Sequence, residues 1–96
     1  MKAFLIAAET VKDEAMFARY RSQVLPTIEA FGGKFIVRGG NLTTLEGKWP
    51  HQRLVIIEFP SRKAVEDWYK SPAYQKIISL RLDSTDSSLV IVDGPA

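Results

Sequence analysis

Cysteine is absent from this chain of 96 residues, and histidine occurs once, as His51. The lack of cysteine excludes disulfides, thiolate nucleophiles, cysteine-bound zinc and iron–sulfur clusters. A single histidine excludes any metal site built from several histidines. We therefore expect no metal and no cofactor, so any chemistry falls to carboxylate, guanidinium and aromatic groups.

The chain also lacks a strong charge imbalance and a long apolar segment. Its 13 Lys and Arg residues against 11 Asp and Glu residues give a formal net charge of only +2. The first apolar run, Ala3 to Ala8, ends at Glu9, so it is shorter than the apolar region of a signal peptide and far below the ~20 residues of a membrane span. These features predict a cytoplasmic protein of one domain, residues 1–96, with no membrane partner.

Hydrophobic periodicity predicts strands and helices in the order β-α-β-β-α-β. Apolar residues at helical spacing predict a helix over about residues 13–31, and start signals at Ser61 and Ser71-Pro72 predict a second helical region. A polar loop is expected over Asp83–Ser87. The predicted strands are Lys2–Glu9, Lys34–Arg38, Arg53–Phe59 and Ser88–Asp93, with a further extended stretch over Leu42–Glu46. This order is typical of the ferredoxin-like α+β fold, a four-stranded antiparallel sheet with helices on one face.

Both faces of the predicted sheet are apolar. In the first strand Phe4 and Ile6 face one way while Ala3 and Leu5 face the other, and the strand Arg53–Phe59 is apolar on both sides as well. Helices on one face leave the other uncovered, whereas a wetted face should be polar. We therefore predict a homodimer in which the open sheet faces of two chains pack together about a two-fold axis.

Two motifs that resemble nucleotide or nucleic-acid sites do not fit those functions. Arg38-Gly39-Gly40 lacks the glycine pattern and the lysine of a phosphate loop, and it indicates a bulge or a sharp bend instead. RNA-recognition domains share the predicted strand order but carry aromatic residues and glycines on a central strand. Arg53–Phe59 is aliphatic and carries Glu58, which would repel phosphate. We expect no nucleic-acid partner.

Glu58 is the candidate catalytic group. It shares the face of Leu54 on the most apolar strand, and a buried carboxylate needs a partner or a raised pKa. Arg38 is the first candidate partner, followed by Arg53 and Arg81. A carboxylate paired with a guanidinium in an apolar cleft could act as a base, and the alternative is a structural ion pair near the strand end. The sequence leaves both open.

Trp68 and Tyr69 are candidate walls of a ligand pocket. They are adjacent on a short predicted helix, so only one of them can point fully into the core. The other could line a cleft between helix and sheet or pack on a partner subunit. The alternative is that both are ordinary core or interface aromatics.

Several motifs together resemble a known family. They are Gly32 to Gly40 (GGKFIVRGG), Leu45 to Trp49 (LEGKW), Arg53 to Pro60 (RLVIIEFP), Trp68 to Gln75 (WYKSPAYQ) and Arg81. With these motifs nearly the whole chain resembles the small bacterial proteins of the domain-of-unknown-function 1330 family.

The resemblance implies a place among the dimeric α/β-barrel proteins, whose ferredoxin-like subunits pair their sheets across a two-fold axis. Relatives in that superfamily include cofactor-independent monooxygenases, small isomerases and decarboxylases, and stress-related proteins, and they often keep a pocket between helices and sheet. The family itself has no established reaction, and fold does not fix function. The family's characteristic motifs include Arg38, Glu58, Trp68, Tyr69 and Arg81, without assigned roles.

Two hypotheses follow from the sequence. In the first, a homodimer binds a small, partly apolar molecule in each subunit, with Arg38 and Arg81 as contacts for an anionic group and Trp68 and Tyr69 as walls. If that protein is an enzyme, we expect cofactor-independent chemistry with Glu58 as the proton acceptor. In the second, the chain is a non-catalytic assembly module whose dimer is the functional unit.

Overall fold

The computed structural model describes residues 1–95, which form a four-stranded sheet and four helical segments. The strands are β1 (Ala3–Val11), β2 (Lys34–Arg38), β3 (Arg53–Phe59) and β4 (Thr85–Asp93). The helices are α1 (Glu14–Glu29), α2 (Arg62–Lys70), α3 (Pro72–Gln75) and α4 (Ile78–Leu82). The sheet has the order β2-β3-β1-β4, and every neighbouring pair of strands is antiparallel. This arrangement confirms the ferredoxin-like α+β fold.

Side-chain caps begin the first three helices, and two of these caps are the predicted start residues Ser61 and Ser71. The Asp13 side chain accepts a hydrogen bond from an amide of the first turn of α1, and Ser61 and Ser71 do the same for α2 and α3. The longest helix, α1, has 16 residues. Within residues 1–95, none of the helices combines the length and the apolar character needed to cross a membrane.

Two predicted segments differ from the structure. Residues 42–46 lie in an irregular segment between β2 and β3, so the predicted extended stretch does not join the sheet. The predicted polar loop Asp83–Ser87 is largely wrong, because β4 begins at Thr85 and pairs there with Val11 of β1. Its first residues are polar, yet they form a strand, because ladder hydrogen bonds come from the backbone and not from apolar side chains.

A bulge in β2 sets the direction of Arg38. The pairing with β3 shifts between Phe35 and Val37, upstream of the predicted interruption at Gly39-Gly40. Because one extra residue reverses the alternation of faces, Arg38 lies opposite Val55 and shares a sheet face with Phe35. The bulge therefore turns Arg38 toward the helices.

The two faces of the sheet differ in what covers them. On the helix face, which packs against the helices, the strand side chains Leu5, Ala7, Val55, Ile57 and Phe59 are buried. On the opposite side, which we call the open face, Val90 and Val92 are 55% and 43% exposed. The other apolar side chains of the open face are half-buried and comprise Phe4, Ile6, Ala8, Val37, Leu54 and Ile56. Within a single chain, apolar side chains thus stay in contact with solvent on the open face.

Candidate functional site

A cavity lies between the helix face of the sheet and the helices, and its lining is apolar except for a group of charged and hydroxyl side chains. Its volume is about 30 Å³, room for about two water molecules. The apolar lining comprises Leu5, Ala7, Phe17, Val24, Ile28, Phe35, Val55, Ile57, Trp68 and Leu89. The polar lining comprises Glu9, Tyr20, Arg21, Arg38, Arg53 and Arg81.

A buried ion pair joins two neighbouring strands in this lining. Glu9 of β1 lies opposite Arg53 of β3 in the sheet register, and the Arg53 Nε–H donates a hydrogen bond to the Glu9 Oε1 atom over 3.2 Å. The Glu9 side chain is 4% exposed and that of Arg53 19%. Burial raises the pKa of the Glu9 carboxyl, although the nearby guanidinium groups of Arg53, Arg81 and Arg21 pull it down.

The Arg53 guanidinium fits into its position because residue 39 is a glycine. Gly39 has a φ of +74°, and a Cβ atom at this residue would lie 2.5 Å from the Arg53 Nη1 atom. The Arg53 Cζ atom also lies 5.5 Å from the centre of the Phe17 ring. A second depression shares Phe17, Arg21 and Arg53 with the cavity and extends it toward Gly39 and Gly40. Arg21 and Arg53 therefore lie between the cavity and the surface.

A chain of hydrogen bonds runs from Arg81 through two tyrosines. The Arg81 side chain is buried in α4, and its Nε–H donates to the Tyr74 hydroxyl over 3.1 Å. The Tyr74 and Tyr20 hydroxyl oxygens are 2.9 Å apart, and the Arg81 Nη1–H donates to the Ser87 hydroxyl over 2.7 Å. Burial raises the pKa of both tyrosines, so both hydroxyls are neutral donors near pH 7.

Trp68 forms a separate, closed chain. Its indole N–H donates to the Thr27 hydroxyl over 3.1 Å, and Thr27 donates onward to the Val24 carbonyl oxygen over 2.6 Å. The Trp68 ring is 1% exposed and lies 4.1 Å from the Tyr74 ring, centre to centre. These contacts hold the ring in place as an apolar wall of the cavity.

The structure brings three of the five predicted site residues to this cavity. Arg38, Trp68 and Arg81 line it. Tyr69 is 38% exposed and belongs to a different groove, near Val90. Of the two adjacent aromatic residues, Trp68 points into the core and Tyr69 lines a groove between α2 and β4, since adjacent helical residues point about 100° apart.

Glu58 lies on the open face, on the other side of the sheet from the cavity. Its two carboxylate oxygens each lie 3.4 Å from a lysine nitrogen, one from Lys2 and one from Lys34. The prediction that Arg38 is its partner is wrong, because the β2 bulge turns Arg38 to the helix face, where its guanidinium lies 4.2 Å from the Phe35 ring centre. Partial burial alone would raise the pKa of Glu58, but Lys2 and Lys34 outweigh it and hold the pKa below its usual range.

The sequence prediction missed Glu9, Tyr20 and Arg53 as site residues. Glu9 has a readable signal, since it lies on the same side of β1 as the buried Leu5 and Ala7, and a carboxylate in a core-facing position is a candidate functional group. Tyr20 carries no such signal, because it fits the apolar stripe of α1 and a tyrosine in that position is typical of the core. Arg53 was weighed only as a partner of Glu58.

The cavity lining contains more positively than negatively charged side chains. Four guanidinium groups face one carboxylate, so the cavity has a positive potential that favours a negatively charged guest. No three histidine, aspartate or glutamate side chains within residues 1–95 are grouped so that they could hold a metal ion. The arrangement can therefore bind an anion through arginines and hold or accept a proton at Glu9.

Comparisons with known proteins agree with this fold. The model of the domain-of-unknown-function 1330 family matches residues 2–95. A protein of unknown function from Rhodopseudomonas palustris is 19% identical over 99% of this chain and 83% of its own, with a TM-score of 0.84. No curated protein matches the chain.

Two further solved structures are similar in fold. A dimeric ferredoxin-like protein of unknown function from Jannaschia sp. CCS1 is 13% identical over 98% of this chain and 100% of its own, with a TM-score of 0.71. SnoaB, a cofactor-independent oxygenase from Streptomyces nogalater, is 12% identical over 99% of this chain and 94% of its own, with a TM-score of 0.69. At such identities the similarity concerns the fold alone.

Proposed function

The chain belongs to the domain-of-unknown-function 1330 family, and we propose that it binds a small, partly apolar organic anion in the cavity on the helix face. The observation that carries this proposal is the lining itself, in which four arginines and one carboxylate share a mainly apolar cavity. Glu9 and Arg81 are buried and Arg53 is half-buried, and a small core has little reason to take in these charges unless they serve a ligand.

The charges favour a ligand with an anionic end and an apolar end. Arg21 and Arg38 are exposed and can turn toward a carboxylate. The walls farther in are aliphatic or aromatic, with Trp68 among them. Because the cavity measures about 30 Å³, well under the ~300 Å³ of a drug-sized pocket, the guest is either a molecule of few atoms or one that displaces the arginines at the mouth.

Any chemistry at this site is proposed to start with Glu9. Burial raises its pKa, which makes the ionised carboxylate a stronger base than an exposed one. It would take a proton from the ligand and become neutral, and the negative charge left on the ligand would be balanced by Arg53 and Arg81. The fold of the cofactor-independent oxygenase SnoaB makes chemistry without a cofactor the first class to test. The role of Glu58 as a proton acceptor stays a prediction, and its lowered pKa makes it the weaker base.

A thermal-shift screen against a library of small carboxylates tests the proposal, since a bound ligand stabilises the folded state by mass action. Hits should weaken about tenfold or more in Arg21→Gln, because a hydrogen bond to a charged group contributes about 1.5–3 kcal/mol. Arg19→Gln is the matched control, an exposed arginine on the same helix that does not line the cavity. Hits that weaken equally in both variants, or no hits at all, would contradict the proposal.

A second proposal concerns assembly. Apolar side chains such as Val90 and Val92 remain exposed on the open face, and a structural neighbour is described as dimeric. We propose that two copies of the chain form a homodimer through their open faces. In the first hypothesis each subunit of this dimer holds a binding site, and in the alternative the dimer is itself the functional unit, without catalysis. A cytoplasmic location and the lack of nucleic-acid and membrane partners stay predictions.

Replacing Ile56 by lysine tests the dimer, because Ile56 is half-buried on the open face and a lysine would carry an unpaired charge into the interface. We expect light scattering to show a dimer for the wild type and a folded monomer for Ile56→Lys at micromolar concentration. Lys12→Glu, an exposed change at the end of the sheet, should leave the dimer intact. A wild-type monomer would overturn this proposal without touching the first.

A further inference from the structure

The direction of each hydrogen bond in the Arg81–Tyr74–Tyr20 chain follows from the donors available. A guanidinium can only donate, so the Tyr74 oxygen accepts from the Arg81 Nε–H. Tyr74 is fully buried, and within residues 1–95 the other hydrogen-bond partner of its hydroxyl is the Tyr20 hydroxyl, 2.9 Å away. A buried O–H group without an acceptor is costly. The Tyr74 proton therefore points to the Tyr20 oxygen.

The Tyr20 proton must then point away from Tyr74. Tyr20 is among the residues that line the cavity, and within residues 1–95 its hydroxyl makes no hydrogen bond other than the one with Tyr74, which leaves a ligand in the cavity as the acceptor for its proton. We propose that the Tyr20 hydroxyl donates a hydrogen bond to an oxygen of the bound ligand, which therefore carries a carbonyl or similar acceptor oxygen besides its anionic group. The inference rests on the proposed function and narrows the ligand to short oxygenated carboxylates, with 2-oxo acids as the simplest case.

The Trp68–Thr27 hydrogen bonds differ from those of Arg81, Tyr74 and Tyr20, and the difference shows why only the second series can bind a ligand. The Trp68 chain ends on a backbone carbonyl oxygen through Thr27, so every proton in it has an acceptor inside the protein. The Arg81 series of hydrogen bonds begins at a permanent charge and ends at the hydroxyl of Tyr20, a residue of the cavity lining. Hydrogen bonds in such a series polarise one another, which strengthens Tyr20 as a donor.

Two acids of matched size test the role of Tyr20. We expect the wild type to bind 2-oxobutyrate about tenfold more tightly than butyrate in a calorimetric or NMR titration, since one hydrogen bond contributes about 1 kcal/mol or somewhat more. Tyr20→Phe should abolish this preference, so that 2-oxobutyrate and butyrate bind the variant with equal affinity. Tyr69→Phe, which removes the same hydroxyl outside the cavity, should keep it. A preference that survives in Tyr20→Phe overturns the inference.

A ligand-free measurement separates this inference from the proposed function. Hydroxyl exchange can be read from the ¹³Cζ signals of labelled tyrosines in mixtures of H₂O and D₂O. The Tyr74 hydroxyl should exchange more slowly than that of Tyr20, because its proton is buried and donated within the protein. Equal or reversed rates overturn the assigned direction. Failure of both acids to bind the wild type overturns the ligand class, and Tyr20 then loses its proposed role even if the exchange order holds.

Discussion

Each face of the sheet carries one glutamate, and the two differ in almost every respect. Glu9 on the helix face is buried, pairs with an arginine and lines a cavity. Glu58 on the open face lies between two well-exposed lysines and faces away from the cavity. The two residues lie on adjacent strands, on opposite sides of the pleat and at opposite ends of the β1–β3 pairing, where Glu58 is opposite Phe4 and Glu9 is opposite Arg53. The comparison teaches that the side of the pleat on which a carboxylate falls decides its partner, its pKa and its possible role.

Replacing the cationic partner of each glutamate should give the largest difference in unfolding free energy between the two faces. Arg53→Met removes the hydrogen-bonded partner of the buried Glu9 and leaves it only the more distant charges of Arg81 and Arg21, so we expect a loss of up to about 3–5 kcal/mol of unfolding free energy. Lys34→Met leaves Glu58 with Lys2 and with solvent, so we expect little change, as for other exposed pairs. Urea unfolding measures both variants. A similar loss in the two would mean that the faces do not differ as described.

The fold could be predicted from the sequence because independent signals agree. Serine and aspartate caps, the helical stripe of α1 and the apolar strands all indicate the same order of elements. The predicted bounds of β2 and β3 are those of the structure. The start of β4 was missed because Thr85 and its neighbours are polar, and only their pairing with β1 reveals a strand.

The site was predicted in part, for reasons that lie in particular residues. Trp68 and Arg81 reach the cavity because helical spacing directs them inward. Arg38 reaches it through a bulge between Phe35 and Val37, which the sequence did not indicate; of the bulge or bend predicted at Gly39-Gly40, the structure has a bend at Gly39. The lysine partners of Glu58 follow from strand register and from the chain terminus, neither of which is readable from hydrophobic alternation. Glu9 was overlooked because it ends an apolar run, although its parity marks it as inward-facing.

A smaller loss of stability should test the close packing of Arg53 against Gly39 on the helix face. Gly39→Ala places a Cβ against the Arg53 guanidinium and also strains a positive φ, so we expect a loss of about 1–3 kcal/mol. Gly40→Ala is the control, since its φ is also positive but no atom lies within 4 Å of the added Cβ. Thermal unfolding should therefore show the larger decrease for Gly39→Ala. Equal decreases in the two variants would mean that backbone strain alone accounts for the lost stability and that the Arg53 side chain moves aside without loss.

The smallest effect concerns pH, and its sign should be opposite on the two faces. The pKa of Glu9 is raised on folding, so its contribution to stability is greatest below pH 4.5 and is lost as pH rises through the folded-state pKa. The pKa of Glu58 is lowered, so its contribution is present above pH 4.5 and is lost as pH falls through the folded-state pKa. Unfolding free energies of Glu9→Gln and Glu58→Gln, each subtracted from the wild type between pH 3 and 7, should slope in opposite directions. Parallel slopes would contradict the assigned environments.

The most direct test of the central claim, that the functional site lies on the helix face, is a map of amide NMR shifts during titration with 2-oxobutyrate. We predict that the perturbed amides cluster at Glu9, Tyr20, Arg53 and Arg81, and that the map is unchanged in Glu58→Gln. Perturbations that cluster instead around Glu58, Lys2 and Lys34 would move the site to the open face and contradict the account.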